Sequence, residues 1–207
     1  MRNAGLRLAA LIILATGTWV HAQEAPGPRN NLGRDKLGGI KGGIKGDIKG
    51  DITWQSLLQG DSLDGWTAHQ SPSYPDGWRR DGDTLVGEIP RKKYARIVTG
   101  DPKWRSYDFS VKATLVSGSN IQIAFRVSED NMSHYLLDFL TGWKAVAISK
   151  KVGGVRGVTK LDVVNFPIEK VREYDIVISV RGHSIISYID GVRVNRLTDG
   201  SFPRGKV

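Results

Sequence analysis

Four polar side chains could act together in the segment 121–139 if that segment folds as a β-hairpin. Two runs in which apolar and polar residues alternate, Ile121–Val127 and His134–Phe139, flank a polar loop. Pairing that is symmetrical about Asp130 places aromatic and aliphatic residues opposite one another on one face. The same register places Gln122 opposite Asp138, and Arg126 opposite His134, on the other face. A slip of one residue would bury these polar groups and expose the aromatic ones, so the apolar pattern fixes the register.

This polar patch combines an imidazole, a carboxylate, a guanidinium and an amide, which are groups that hydrogen-bond sugar hydroxyls. An imidazole beside a carboxylate could also move a proton or hold a divalent metal ion. His134 and Asp138 are therefore the candidate catalytic residues, and Gln122 and Arg126 are candidate substrate-binding residues. No other cofactor is indicated. The alternative is an ordinary solvated outer face of a sheet.

Tryptophan side chains are a second feature that fits carbohydrate, because an exposed indole can stack on a pyranose ring. Most tryptophans in a chain of this kind are expected in the core. Trp143 follows a Thr-Gly break at a loop edge. It is the predicted exposed, substrate-binding tryptophan.

The elements around the patch are also predicted to be strands. Tyr107–Leu115 alternates strictly, and further strands are expected at 143–150, 174–180, 185–189 and 192–194. Asp190-Gly191 between the last two is a strong hairpin signal. No long helical periodicity is present. The pattern predicts an all-β, antiparallel sandwich.

The N-terminal part of the chain has a different character. Arg2 and Arg7 precede an apolar run at Leu8–Thr18, and cleavage is expected after Ala22. The run is shorter than the roughly 20 residues that a membrane span needs, so no stable membrane anchor is expected after cleavage. We therefore predict a signal peptide at 1–22, a flexible Gly/Lys-rich linker at 23–52 and one domain at 53–207, exported to the periplasm or beyond.

Composition narrows the class of protein further. The chain has 207 residues, a formal net charge of +9 and no cysteine, so disulfides play no part in its fold. The basic residues are dispersed along the domain, and nucleic acid is therefore not a predicted partner. Carbohydrate is the predicted partner.

Several motifs resemble the 3-keto-disaccharide hydrolase family, which is also described as 3-keto-glucoside lyases and hydratases. The opening segment 57–66, with the letters LLQGDSLDGW, is similar to the family's LFNGKDLSGW pattern. Trp78 with the following Leu-Val-Gly at 85–87, Tyr107-Asp108-Phe109, Phe125-Arg126 and the closing hairpins at 174–192 continue the resemblance over most of 53–207. It implies an exported concanavalin A-like jelly roll that acts on carbohydrate.

The resemblance implies an enzyme acting on 3-keto-glycosides, with a non-catalytic glycan-binding module or an envelope structural domain as the alternatives. The family often carries Tyr-Glu-x-Gln on one strand, where this chain has Tyr135, Leu136, Leu137 and Asp138. The absent glutamate favours binding over catalysis. The family fold also usually continues beyond a Gly-x-Val such as Gly205–Val207, so a final strand is expected to be missing here.

Overall fold

The computed structural model describes residues 54–59, 61–69, 77–88, 95–153 and 155–207, together with the backbone of two short strands at 15–16 and 19–22. The predicted linker at 23–52 lies outside these residues. Within the described chain, every regular element except one turn of 3-10 helix is a β-strand. The predicted all-β class is confirmed.

The strands are short, and from 107 onward their bounds follow the predicted runs, except that no strand was predicted at 159–165 and that the last strand continues four residues beyond its predicted end. They are β1 (Ala15–Thr16), β2 (Trp19–Ala22), β3 (Gln55–Ser56), β4 (Thr67–His69), β5 (Trp78–Asp81), β6 (Thr84–Gly87), β7 (Arg96–Val98), β8 (Tyr107–Thr114), β9 (Asn120–Phe125), β10 (His134–Leu140), β11 (Ala145–Lys151), β12 (Thr159–Asn165), β13 (Glu173–Arg181), β14 (Ser184–Ile189) and β15 (Val192–Thr198). The 3-10 turn covers Thr141–Trp143.

Two antiparallel sheets form the sandwich. The front sheet has four strands in the order β12-β11-β10-β9, and the back sheet has six in the order β15-β14-β13-β8-β2-β3. Two smaller sheets, β1-β6-β5 and β4-β7, complete the described topology. The predicted Asp190-Gly191 turn joins β14 to β15, with positive φ at both residues as a tight hairpin turn requires.

The core fills the space between the two sheets. On β8 and β13 every second residue is buried, which is the burial pattern that period-two alternation produces. Phe125 and Tyr135 stack at 5.4 Å between ring centroids, and Phe139 meets Tyr174 of the back sheet at 5.7 Å. The first contact lies within the front sheet, and the second joins the front sheet to the back sheet.

The predicted register of the β9–β10 hairpin is confirmed up to Phe125. Phe125 pairs with Tyr135, Ile123 with Leu137, and Gln122 with Asp138. Beyond Phe125 the pairing is different, because Val127 pairs with Lys206 instead of continuing the hairpin.

The last residues of the chain pair with two segments of the domain. Lys206 bonds to Val127, and Val207 exchanges main-chain hydrogen bonds with Thr99. Gly205 makes this approach possible: its φ is +152, and a Cβ there would lie 2.3 Å from the carbonyl carbon of Arg126.

The back sheet also includes β2, whose residues 19–22 pair with Tyr107–Ser110 of β8. These residues belong to the predicted signal peptide, which stays a prediction. In the part of the chain that the structure describes, none of the helical structure has the length and apolar character needed to cross a bilayer.

Candidate functional site

A polar cluster on the outer face of the front sheet is centred on Asp138. Gln122 Nε2 donates to Asp138 Oδ1 at 2.7 Å, and Lys160 Nζ lies 2.5 Å from Asp138 Oδ2. Ser149 Oγ donates to the same Oδ2 and accepts from Lys160 at 3.0 Å. We call these four residues the outer polar cluster.

The local geometry of β11 and β12 explains how Lys160 reaches this face. A β-bulge between Ile148 and Ser149 shifts the register, so that Ser149 lies opposite Lys160. Leu161 is the extra residue, and it packs against the core. Without the bulge, Lys160 would share the face of Lys150, so the bulge decides which side chain accompanies Asp138.

The face that carries the cluster is not an ordinary solvated one. Asp138 and Ser149 are fully buried, whereas Gln122 is exposed and Lys160 keeps about a quarter (27%) of its side-chain surface accessible. The alternative of a solvated sheet face is therefore wrong for Asp138. A buried carboxylate requires charge-assisted partners, and the Lys160 ammonium and two further donors supply them.

The cluster does not fit a divalent metal ion. The Lys160 ammonium already lies against Asp138, where a second cation would be repelled. Among the described residues, no three His, Asp or Glu side chains are grouped so as to hold a metal ion.

His134 lies on the same strand and face as Asp138 but does not contact it. Four residues along a strand correspond to about 13 Å. The imidazole of His134 is 5% exposed and meets Arg96 of β7, whose Nη1 lies 2.6 Å from Nε2. Since a guanidinium can only donate, the ring nitrogen that it bonds acts as an acceptor. Arg96 also donates to the main-chain oxygen of Asn131 at 2.5 Å.

Arg126 is not part of this face. The prediction that it lies opposite His134 and binds sugar there is wrong, because its side chain points into the interior. Its φ of +49 turns the chain out of the strand, and its side chain is fully buried. The guanidinium donates to the carbonyls of Arg105, Gly182 and Phe202 at 2.7–2.8 Å. The pairing of Val127 with Lys206 is what ends the hairpin and directs Arg126 inward.

Trp143 is exposed, as predicted, with 67% of its surface accessible. It lies in the 3-10 turn between β10 and β11. This turn follows the Leu140–Asn120 pair, which is two residues along the hairpin from the Asp138–Gln122 pair. Of the tryptophans whose side chains the structure describes, it alone is exposed; Trp66, Trp78 and Trp104 pack against the core. Trp143 and His134 therefore stand at opposite ends of β10.

The residues that sequence reasoning missed are Ser149, Lys160 and Arg96. Alternation along β11 places Ser149 on the outer face, so its position could have been found from the pattern. Lys160 depends on the bulge, and Arg96 comes from a separate two-stranded sheet. Neither of these leaves a local signal.

Comparisons with known proteins agree with this architecture. The sequence profile of the 3-keto-alpha-glucoside-1,2-lyase-like domain matches residues 53–206. An extracellular exo-alpha-L-arabinofuranosidase of Streptomyces chartreusis is 29% identical over 147 residues, which are 70% of this chain and 17% of that enzyme. The chain thus corresponds to a small part of that relative.

Among solved structures, the carbohydrate-binding module CBM66 of Bacillus subtilis has the same fold. It superimposes with a TM-score of 0.57 at 19% identity and covers 69% of this chain and 84% of the module. The predicted concanavalin A-like jelly-roll sandwich is confirmed.

Proposed function

Because the chain belongs to the family of 3-keto-alpha-glucoside-1,2-lyase-like domains, we propose that it is an exported carbohydrate-active domain that binds sugar on the front sheet. The proposed binding surface consists of Gln122 and Lys160 of the outer polar cluster, with Trp143 at the adjacent turn. Asp138 orients the first two from below and does not itself touch the sugar.

The observation that carries the proposal is the fully buried Asp138 carboxylate between two side chains that reach the surface. Gln122 uses one amide proton on Asp138 and keeps its carbonyl oxygen for a hydroxyl donor. Lys160 uses two of its three protons on Asp138 and Ser149. Side chains held in this way lose little further freedom on binding, which favours affinity.

Trp143 would supply the apolar part of recognition. Its exposed indole offers a flat face at low conformational cost, since only two side-chain torsions have to be fixed. A polar pair on the sheet and an exposed aromatic ring at its end suit a sugar, which has hydroxyls around an apolar ring face.

Affinity measurements on three variants test the proposal. We expect Trp143→Ala, Gln122→Ala and Lys160→Met each to weaken binding to an immobilised polysaccharide panel by about tenfold. Lys112→Met is the matched control, since Lys112 is an exposed lysine on the back sheet that also contacts carboxylates. Unchanged binding in all three variants would overturn the assignment of this face.

A second candidate function, favoured by the family profile, is elimination from a 3-keto-glycoside. The C3 ketone acidifies the C2 proton, a general base removes it, and the C1 substituent leaves. On this hypothesis His134 is the base and Asp138 its acidic partner. The separation of about 13 Å along β10 means that the two could not act on one carbon atom without rearrangement, which is why binding is our first proposal.

Turnover of methyl 3-keto-α-glucoside by the purified protein separates the two functions. We expect binding without release of methanol. Release that disappears in His134→Gln, while the fold is kept, would establish the lyase and replace the binding-only proposal.

Export is part of the proposal. It is supported by the predicted signal peptide at 1–22 and by the related arabinofuranosidase, which is described as extracellular. The sugar would then be met in the periplasm or outside the cell.

A further inference from the structure

The tip of the β11–β12 hairpin is a second surface, separate from the proposed sugar site. Its turn carries three exposed valines, Val152, Val155 and Val158, with 42%, 58% and 43% of their surfaces accessible. Met132 of the neighbouring β9–β10 loop is 43% exposed and lies alongside, with its Cβ 3.0 Å from where a Cβ on Gly153 would lie. We call these four residues the valine tip.

The hairpin that presents the valine tip is strongly basic. Residues 150–160 contain four basic residues and no acidic one. Two of the four are neutralised, since Lys150 pairs with Asp199 and Lys160 with Asp138. Lys151 instead donates to the carbonyls of Val155 and Gly157, which keeps its positive charge at the base of the turn.

Arg156 adds a second positive charge at the tip itself, where it is exposed between Val155 and Val158. Of the two exposed acidic residues in the neighbouring β9–β10 loop, Glu129 and Asp130, Asp130 is bonded within the loop to Ser128 and Met132. The surface thus combines exposed aliphatic side chains with cations.

This chemistry selects one kind of partner. Valine and methionine lack the flat ring that stacks on sugars, so a polysaccharide gains little here. A tip of four side chains is also far smaller than the roughly 1,000 Å² that a stable protein interface buries. Aliphatic groups flanked by cations match the boundary between anionic headgroups and acyl chains.

We propose that the valine tip docks the domain onto an anionic phospholipid bilayer. The tip follows Lys151, which pairs with His134 at the start of β10. Trp143 follows the other end of β10, about 20 Å from His134. Docking therefore leaves Gln122 and Trp143 accessible to sugar. The contact is peripheral and reversible, because only a few side chains enter the interface.

Co-sedimentation of the exported protein, which is predicted to start at Gln23, with lipid vesicles tests this proposal. We expect binding to vesicles of phosphatidylcholine with about one third phosphatidylglycerol, release by salt, and little binding to phosphatidylcholine alone. Val155→Asp should lower the partition coefficient by about tenfold or more, and Arg156→Gln by about fivefold. All variants share the same residues 23–52, so the contribution of that segment is common to every comparison between variants.

Matched controls make the result specific to the valine tip. Val171→Asp changes a valine that is 72% exposed in another turn, and Arg193→Gln changes an exposed arginine on β15. Both should bind vesicles like the unaltered chain. Equal binding to the two kinds of vesicle, or an equal loss in Val171→Asp and Val155→Asp at unchanged melting temperature, would overturn the proposal.

Discussion

Arg126 places a guanidinium in the interior of the sandwich, where main-chain carbonyls from three separate loops converge on it. Burial lowers the pKa of its guanidinium, and the Tyr107 and Tyr135 hydroxyls lie close enough to oppose that effect. Tyr107 accepts a hydrogen bond from the main-chain N–H of Arg126, and burial raises the pKa of Tyr107. At the scale of the residue, Arg126 therefore joins loops together and is not a ligand for sugar.

Replacement of Arg126 by methionine is predicted to destabilise the domain without removing the sugar site. Three main-chain carbonyls would lose their donor, and a hydrogen bond contributes about 0.5–1.5 kcal/mol, so we expect a loss of about 2–4 kcal/mol in the free energy of unfolding. Urea denaturation measures this loss. Arg193→Met, at an exposed arginine, should change it by less than about 0.5 kcal/mol. Equal stability of the two variants would contradict the role given to Arg126.

At the scale of the element, the β9–β10 hairpin has two different faces. Its inner face carries Phe125 and Tyr135, stacked and fully buried, and its outer face carries Gln122 and Asp138. The alternation of a strand keeps the two faces apart, so changes on one should leave the other in place. Because Asp138 is buried and hydrogen-bonded, the outer face of the hairpin also contributes to the stability of the domain.

Phe125→Ala is predicted to cost about 3–5 kcal/mol of stability, because it removes a fully buried ring and leaves a cavity against Tyr135. Thermal or chemical unfolding gives the value. Val192→Ala, at a valine that is 64% exposed on β15, serves as the control and should be nearly neutral. If Phe125→Ala were as mild as Val192→Ala, the inner face of the hairpin would have been assigned wrongly.

At the scale of the whole molecule, Asp199 connects the end of the back sheet to the front sheet. Lys150 Nζ donates to Asp199 Oδ2 at 2.8 Å, and the Tyr135 hydroxyl donates to Oδ1 at 2.5 Å. Partial burial opposes ionisation of Asp199, but the bonds from Lys150, Ser201 and Tyr135 outweigh it and hold the pKa well below its usual range. Burial and the Asp199 bond raise the pKa of Tyr135 to about 12.

The depressed pKa of Asp199 predicts how stability responds to acid. Its contribution is fully present above the pKa of an unfolded aspartate, about 3.9, and is lost as the pH falls toward the lower folded value. Asp199→Asn should therefore lose about 1–3 kcal/mol at pH near 7, and its deficit should shrink below about pH 4. Unfolding in urea across this range measures it.

Asp83→Asn is the control for this acid response, since the Asp83 side chain is 94% exposed. It should follow the unaltered chain at every pH. A deficit of Asp199→Asn that stayed constant from neutral to acid pH would show that the carboxylate charge is not what stabilises the junction.

The beginning of the mature chain is the second prediction at this scale. We expect exported protein to start at Gln23, which would remove β2 and leave the Tyr107–Ser110 edge of β8 without that neighbour. The intact mass of the exported protein decides the matter. A mass that includes Leu8–Thr18 would refute cleavage.

The sequence by itself determined most strands from 107 onward, their faces and one register, but not β12. Alternation over Tyr107–Thr114, Asn120–Phe125 and His134–Leu140 is a local property, and burying one face leaves a single acceptable pairing. For that reason the Gln122–Asp138 contact and the aromatic pairs could be predicted from the residues alone. The exposure of Trp143 was predicted from another local signal, the Thr-Gly break that precedes it.

The tertiary structure decided which charged groups occupy the two faces. Val127 pairs with Lys206, which lies 79 positions further along the chain, and not with β10. This pairing turns Arg126 inward. The β-bulge beside Ser149 brings Lys160 to Asp138, and β7 brings Arg96 to His134. Each of these contacts joins segments that are distant in sequence, and no periodicity in either segment encodes the other, because long-range pairing is set by the packing of the whole sandwich.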